Sequence, residues 1–422
     1  MADRRLAGHR PGADRRSHGR AHPTAAQHRG CVCVPRFAEW TRAHGEGGIA
    51  RRRSCGDRHE RGCALGARSP ARGPRRLRSQ RGRSRVVRQA LARPDGRACS
   101  DSTPPLGCAA VPAPGTIVVA LGGNAVAPPG ERPTISNQFR HTRASLAPIV
   151  DLAAAGWNIV LVHGNGPQVG DELARNEIAA DQVEPLPLGV LVAGTAGWMG
   201  YMIQQSLQNA LERAGVQRSV VTMITQTLCH ADDPDLRTPS KPVGHTLDPA
   251  REARLLARGL PVRDGRRLAP SPRPIGIVES QMVHDLSVAG YIVIAGGGGG
   301  PPVYRDPRLG LEGIDAVADK DRVAAILGRD IGAEVLLILT NVSAVYRSYG
   351  TPHQEAIGRL TLAQADHLLA GKDLGTGSMR PKVEAAADFV RTGGERAIIA
   401  ELAEGLAALQ GSAGTTITKE HE

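Results

Sequence analysis

The chain has 422 residues, 41% hydrophobic but only 3% aromatic, so its length allows two or three domains and its core must rest on Val, Ile, Leu and Ala. The formal charge of +12 divides unevenly: residues 1–115 hold 25 Arg, no Lys and 8 acidic residues, a net +17 that leaves the remainder at −5. The basic balance therefore does not make the body a nucleic-acid binder, no uncharged apolar run is long enough to span a membrane, and the Arg-rich start lacks the apolar stretch of a secretory signal.

Residues 1–115 show neither helical nor strand periodicity. Stretches such as Arg51-Arg52-Arg53 are Arg-dense and punctuated by Gly and Pro, and cannot bury enough apolar surface to offset their ordering entropy. A disordered Arg-rich leader is expected. Three readings stand for it: a tail that touches nucleic acid or anionic surfaces, a zinc site from Cys31, Cys33, Cys55 and Cys63, or a mis-assigned start on a GC-rich template. The zinc reading lacks any CxxC pair, and the mis-assigned start leads. Only Cys229 lies beyond the leader, which fits a reducing cytoplasm.

At Thr116 the texture changes. TIVVALG (116–122) reads as a buried strand. The pattern then predicts a helix over 137–155, a strand at 158–164, a helix at 195–214 and a strand at 219–225. Residues 231–275 are polar, Pro-rich and irregular, with short strands around 260–269. A helix at 279–289, a strand at 291–297, a helix at 319–332 and a strand at 334–342 follow. Helices at 361–370 and 381–393 lead to a final strand at 395–401. Apolar strands alternating with helices predict an α/β fold: a three-layer αβα sandwich on a mainly parallel sheet. Ligands in such folds sit beyond the carboxyl ends of the strands.

Four glycine-rich turns follow predicted strands: Gly122-Gly123-Asn124, Gly164-Asn165-Gly166, Gly296 to Gly300, and Gly375-Thr376-Gly377-Ser378. Glycine lets the backbone approach a phosphate with its N–H groups, and Asn adds an amide donor. A single such turn reads as a tight bend; several at one sheet edge favour an anion site, with Gly297 and Gly298 among its candidates. No GxxxxGK[ST] loop occurs, and Pro301-Pro302 forbids the helix that a dinucleotide fingerprint needs after its glycines.

Lysine is the sharpest signal. Five Lys stand against 48 Arg. In a chain that writes Arg for nearly every cation, a retained Lys points to a place where a compact ammonium must follow a moving phosphoryl group. Lys320 sits in Asp319-Lys320-Asp321, Lys382 follows the last glycine turn, and Lys241 lies between prolines; Lys372 and Lys419 read as surface residues. Each alone also reads as a solvated surface cation. Phosphoryl transfer needs mainly positioning and charge neutralisation, which glycine turns and lysines supply, with Asp321 to hold the lysines. His163 reads as a structural or loop-orienting group rather than a base.

The strings ALGGNA (120–125), VHGNGPQVG (162–170), SKPVG (240–244), PSPRP (270–274), DKD (319–321), LLILTNV (336–342) and GSMRPK (377–382) closely resemble carbamate kinases of the amino acid kinase superfamily, collinearly from about 116 onward. The resemblance implies the amino acid kinase fold, a cytoplasmic homodimer, and a small protruding subdomain at 231–275 within a 116–422 kinase domain. It implies the reaction ATP + carbamate ⇌ ADP + carbamoyl phosphate, with Mg2+ on the nucleotide, often making ATP in arginine catabolism. Gly122, Gly123 and Asn124 would bind the phosphoryl group and carbamate, and Gly164, Asn165 and Gly166 the carbamate side. Lys320 would neutralise the transferring group, Asp321 would orient the lysines, Lys382 would bridge the terminal phosphates, and Lys241 would close from the subdomain. Adenine would lie near Thr340, Asn341, Val342 and Tyr346, with Gly377 and Met379 close by. Two departures flank these strings: Gly300-Pro301-Pro302 in place of a single proline, and Gly244-His245-Thr246 in place of Gly-Pro. The alternative is another amino acid kinase acting on a carboxylate such as acetylglutamate, for which no side-chain anchor stands out. A second alternative is a catalytically idle body whose leader binds nucleic acid.

Overall fold

Residues whose side chains alternate between two apolar faces can only be buried on both sides, and the strands that begin at Thr116 have that composition. The computed structural model describes residues 114–128, 130–371, 373–374 and 378–420. The expected leader therefore lies outside the described residues, apart from Pro114 and Gly115. The chain runs through β1 (Thr116–Leu121), α1 (Ile135–Ala144), α2 (Ala147–Ala154), β2 (Asn158–His163), α3 (Gly166–Ala179), α4 (Leu188–Arg213), β3 (Val220–Thr222) and β4 (Thr227–Cys229). It continues through β5 (Lys241–Val243), α5 (Pro249–Ala257), β6 (Val262–Arg263), β7 (Arg266–Ala269), β8 (Pro274–Ile277), α6 (Ser280–Val288), β9 (Ile292–Ile294), β10 (Pro302–Asp306) and β11 (Gly310–Gly313). Then come α7 (Lys320–Asp330), β12 (Val335–Thr340), β13 (Val345–Arg347), β14 (Glu355–Ile357), β15 (Arg359–Thr361), α8 (Leu362–Ala370), α9 (Met379–Arg391), β16 (Arg396–Glu401), α10 (Gly405–Leu409) and β17 (Thr415–Thr418).

The central sheet has eight strands in the order β15-β17-β16-β12-β1-β2-β9-β3. It is parallel from β16 across to β3, and β17 joins β16 antiparallel. Alternate residues of β1 serve opposite faces. Val118 and Ala120 join Val323 and Leu327 of α7 and Val383 and Phe389 of α9 in one core. Ile117, Val119 and Leu121 join Leu152 of α2 and Ile203, Leu207 and Leu211 of α4 in the other. Three layers result, as the alternation of strands and helices predicts.

Several elements differ from the expectation. The helix expected over 137–155 is two, α1 and α2. Pro148 cannot donate a hydrogen bond and would clash with the preceding turn, so the chain breaks at Ser145, whose Oγ donates to the Ala125 carbonyl at 2.8 Å. Helix α3 follows the Gly164–Gly166 turn where the sequence pattern predicts no element, because Pro167 is tolerated in a first turn where the N–H would be orphaned anyway. The expected irregular region contains α5 and two small sheets, β5-β7-β6 and a share of β11-β10-β4-β8. The strand at 395–401 is not the last: the chain turns through α10 and returns as β17. After the five glycines the chain enters β10, as Pro301-Pro302 requires.

Phe389 is fully buried and fits between Gly328 and Gly394; a Cβ on Gly328 would stand 2.7 Å from its ring. In so aromatic-poor a chain it is the largest fully buried side chain of the core. Phe389→Ala should therefore cost about 3–5 kcal/mol, read as a lowered denaturation midpoint in urea with an unchanged slope.

Candidate active site

Register decides what meets at the sheet's carboxyl edge. Leu121 pairs with Leu339 on one side and His163 on the other, and Thr340 pairs with Glu401. The residues that follow, Gly122 and Gly164, thus stand in one row with Thr340 and Glu401. Gly122 donates its N–H to the Leu339 carbonyl at 3.1 Å, and Gly164 to the Leu121 carbonyl at 3.2 Å. Past Gly122 the chain makes a 3-10 turn, Gly123–Ala125, with Asn124 in its middle. Past Gly164 it enters α3, whose first turn has no side-chain cap. The first turn of α9, after Ser378, is also uncapped. Free N–H groups at such ends favour an anion.

These ends border a cleft of about 460 Å³. Of the expected residues, Gly122, Gly123, Gly164, Asn165, Gly166, Gly298, Lys241, Lys320, Lys382, Thr340 and Asn341 line it. Asp321 lies buried behind them. Gly297 is buried beneath the cleft: a Cβ there would stand 2.6 Å from Nε2 of His163. Val342, Tyr346 and Met379 are not among the lining residues. Tyr346 instead hydrogen-bonds Ser343 at 2.7 Å in the β13–β14 hairpin. Gly377 lies outside the described residues. Arg266, Ser378, Glu401 and Leu402 line the cleft without having been expected to.

Two carboxylates organise the cations. The Nζ of Lys320 binds one oxygen of Asp321, and that of Lys382 binds the other at 3.1 Å. Asp319 is the N-cap of α7: its Oδ1 accepts from the N–H groups of Asp321 and Arg322 at 2.9 and 3.2 Å, and its Oδ2 takes Lys241. Asp319 thus ties β5 to α7, a role missed in the sequence although an Asp just before a helix is a cap signal. Burial opposes ionisation of both carboxyls, yet the lysines hold each below the usual carboxylate range. Burial lowers the pKa of the Lys320 ammonium, and Asp321 opposes that fall. Three ammoniums face two carboxylates, leaving one positive charge for an incoming anion to meet.

The glycine run after β9 supports Asn165 from below. Gly296, Gly298, Gly299 and Gly300 all have positive φ, a conformation that costs other residues dearly. A side chain on Gly298 would strike the amide of Asn165, which donates to Thr195 Oγ1 at 2.8 Å. The β5 strand is held close by a second glycine contact. Gly170 of α3 packs on Gly244 with no room for a Cβ, and Gly244 donates its N–H to the Gly166 carbonyl at 2.9 Å. The Gly244-His245 sequence fits this packing, with His245 3.7 Å from Asp171.

The amino acid kinase family profile matches residues 115–401. The chain is 42% identical over 314 residues to the carbamate kinase of Halobacterium salinarum, covering 72% of this chain and 99% of that one. To the carbamate kinase of Pyrococcus horikoshii it is 37% identical with the same coverage. The structure of a carbamate kinase from Giardia lamblia bound to AMP-PNP superposes with a TM-score of 0.68 at 34% identity, covering 73% of this chain and 99% of that one.

Burial pushes the His163 imidazole down from 6.5 to about 4, with carbonyl contacts from Gly164 and Ala196 offsetting only part of that fall. The folded ring is neutral at pH 7, as a loop-orienting group should be. Between pH 6.5 and about 4 the unfolded chain holds a proton there that the folded chain does not. Stability therefore falls as pH drops through that window, by about 3 kcal/mol in all from this group. Urea midpoints measured from pH 7 to 4 should show this slope, and His163→Gln should flatten it.

Proposed function

The chain belongs to the amino acid kinase family and, within it, to the carbamate kinases, and on that footing we propose how its residues carry ATP + carbamate ⇌ ADP + carbamoyl phosphate. The single observation that carries the proposal is Asp321 holding the ammoniums of Lys320 and Lys382 at the cleft floor, where the glycine turns of β1 and β2 end. A carbamate oxygen attacks the γ-phosphorus, the bond to the β–γ bridging oxygen breaks, and ADP leaves with the electron pair. Charge on the three equatorial oxygens is met by Lys320 and Lys382, fixed in advance and shielded from water. Backbone N–H groups of Gly122–Asn124 and Gly164–Gly166 cradle the acceptor side. Thr340 and Asn341, at the end of β12, face the nucleotide. Lys241 reaches over from β5 to the far side of the phosphoryl group. Carbamoyl phosphate is a mixed anhydride, so the favourable direction makes ATP.

Mg2+ enters as part of the nucleotide substrate. Asp319 and Asp321 are both engaged by lysines, and no group of three or more His, Cys, Asp or Glu suited to a metal occurs among the described residues. The ion would thus be held by phosphate oxygens and water, its usual preference. Among the described residues no helix is long and apolar enough to cross a membrane. We further propose a cytoplasmic homodimer, in which Ile224, 51% exposed beside the edge strand β3, lies at the subunit contact. Residues 231–275 act as a subdomain that carries Lys241, and residues 116–422 hold the whole catalytic unit. The carbamate kinase relatives match 72% of this chain over 99% of their own length, and the family profile spans residues 115–401.

Lys320→Ala and Lys382→Ala should each lower kcat by about 10²–10³-fold, while deletion of residues 1–110 leaves turnover nearly unchanged. A coupled assay of ATP formation from carbamoyl phosphate and ADP, run beside one with acetylglutamate and ATP, checks this. Turnover confined to the second pair would overturn the assignment. Sedimentation of the wild type and of Ile224→Asp should show a dimer that the substitution weakens.

A further inference from the structure

Outside the catalytic cleft, a second cavity of about 300 Å³ opens between α1, α3 and α4. Its walls include Gln138, Gln168, Asp171, Glu172, Arg175 and Trp198. The size lies at the low end for small-molecule sites. Helix α3 borders both cavities: Gly166, Pro167 and Val169 face the cleft, and Gln168 faces the second cavity.

Counting donors and acceptors shows what the cavity lacks. Gln138 Nε2 donates to the Pro133 carbonyl at 2.9 Å, and its Oε1 accepts from Gln168 Nε2 at 2.9 Å. That leaves Gln168 Oε1, on a residue only 2% exposed, with no hydrogen-bond partner among the described residues. A buried acceptor left empty is unfavourable, because it has given up its hydrogen bonds to water, so a donor belongs there. Glu172 accepts from Arg175 at 2.5 Å through one oxygen. Among the described residues Asp171 has only His245, at 3.7 Å. The unused capacity is thus a neutral acceptor, a weakly paired carboxylate and the second oxygen of Glu172, with the Trp198 indole forming another part of the wall. With Glu172 offset by Arg175, Asp171 leaves the wall net negative and disfavours an anion; an apolar ligand would leave Gln168 Oε1 unpaired. A cation with N–H groups satisfies the acceptors, meets the negative charge and can lie on the indole.

We propose that this cavity is a binding site for a small organic cation bearing N–H donors, an alkylammonium or alkylguanidinium no larger than an amino acid, with Gln168 and Asp171 as its principal ligands. Trp198 supplies the readout. In a full-length chain carrying Trp40→Phe and Trp157→Phe, Trp198 is the only indole left. Ethylammonium and methylguanidinium are titrated against its fluorescence at constant ionic strength, beside tetramethylammonium, which has charge but no N–H, and acetamide, which has N–H but no charge.

The expected result is a saturable change with the first two probes and none with the controls. Asp171→Asn and Gln168→Leu should each raise the apparent Kd by about tenfold or more. Asp171 is on the surface, so its variant keeps the test decisive if Gln168→Leu folds poorly. A linear, unsaturable response to every probe would mean that the cavity holds water only. Equal binding of tetramethylammonium, or unchanged affinity in Asp171→Asn, would also overturn the proposal.

Discussion

The carboxylate of Asp321 takes Lys320 on one oxygen and Lys382 on the other, and all three groups are largely withdrawn from solvent. Such an arrangement forms only if the fold brings the groups together, because burying any one of them alone would cost several kcal/mol. Lys320 and Asp321 open α7, and Lys382 sits in the first turn of α9. The two helices pack side by side on one face of the sheet through Val323, Leu327, Val383 and Phe389. Their apolar packing therefore fixes the ion triad. The triad in turn holds two ammoniums at the cleft, where the proposed function has a phosphoryl group meet both.

The second constraint is steric. At the carboxyl edge of a parallel sheet the chain must leave each strand without filling the space in front of it. After β9 and Ala295 it does so with five successive glycines, because side chains at Gly298, Gly299 and Gly300 would collide with Asn165, Ala318 and Thr225. Gly164 is tight for a related reason: a Cβ there would meet the Lys320 side chain at 3.0 Å. The glycines thus make room for the protein's own polar groups: Gly298 and Gly164 spare the donors Asn165 and Lys320, and Gly299 and Gly300 spare the carbonyls of Ala318 and Thr225.

Much of this was legible in the sequence, for identifiable reasons. Buried parallel strands write themselves as unbroken Val/Ile/Leu runs, so β1, β2, β9, β12 and β16 stood out. The Lys count against Arg picked out the three lysines among the four cations that line the cleft. What stayed hidden depends on tertiary contacts. Short strands such as β4, β10 and β17 have no periodicity of their own and exist because a neighbour's backbone pairs with them. Helix α3 was masked by Gly166, Pro167 and Gly170, residues chosen for the cleft and for the contact with Gly244 rather than for helix propensity. Asp319 carried a cap signal that could have been read. Arg266 carried none, since nothing in an Arg-rich sequence separates a cleft arginine from a surface one.

Asp319 also explains how the β5 strand and its lysine can belong to the site while being built apart from it. One oxygen of Asp319 is committed to the start of α7, so its position is fixed by the helix; the other is free to take Lys241. Further ties between this region and α3 include Arg251 and Arg267 on Glu177, His245 beside Asp171, the Gly170–Gly244 contact and an apolar cluster of Val169, Leu173, Val243 and Ala269. None of these requires a ligand, so Lys241 is already directed at the cleft before any phosphate enters. When an anion arrives, the Lys241 ammonium can turn from Asp319 to it while Asp319 keeps its backbone partners. The cap therefore serves as a counterion that holds a mobile cation ready without moving itself.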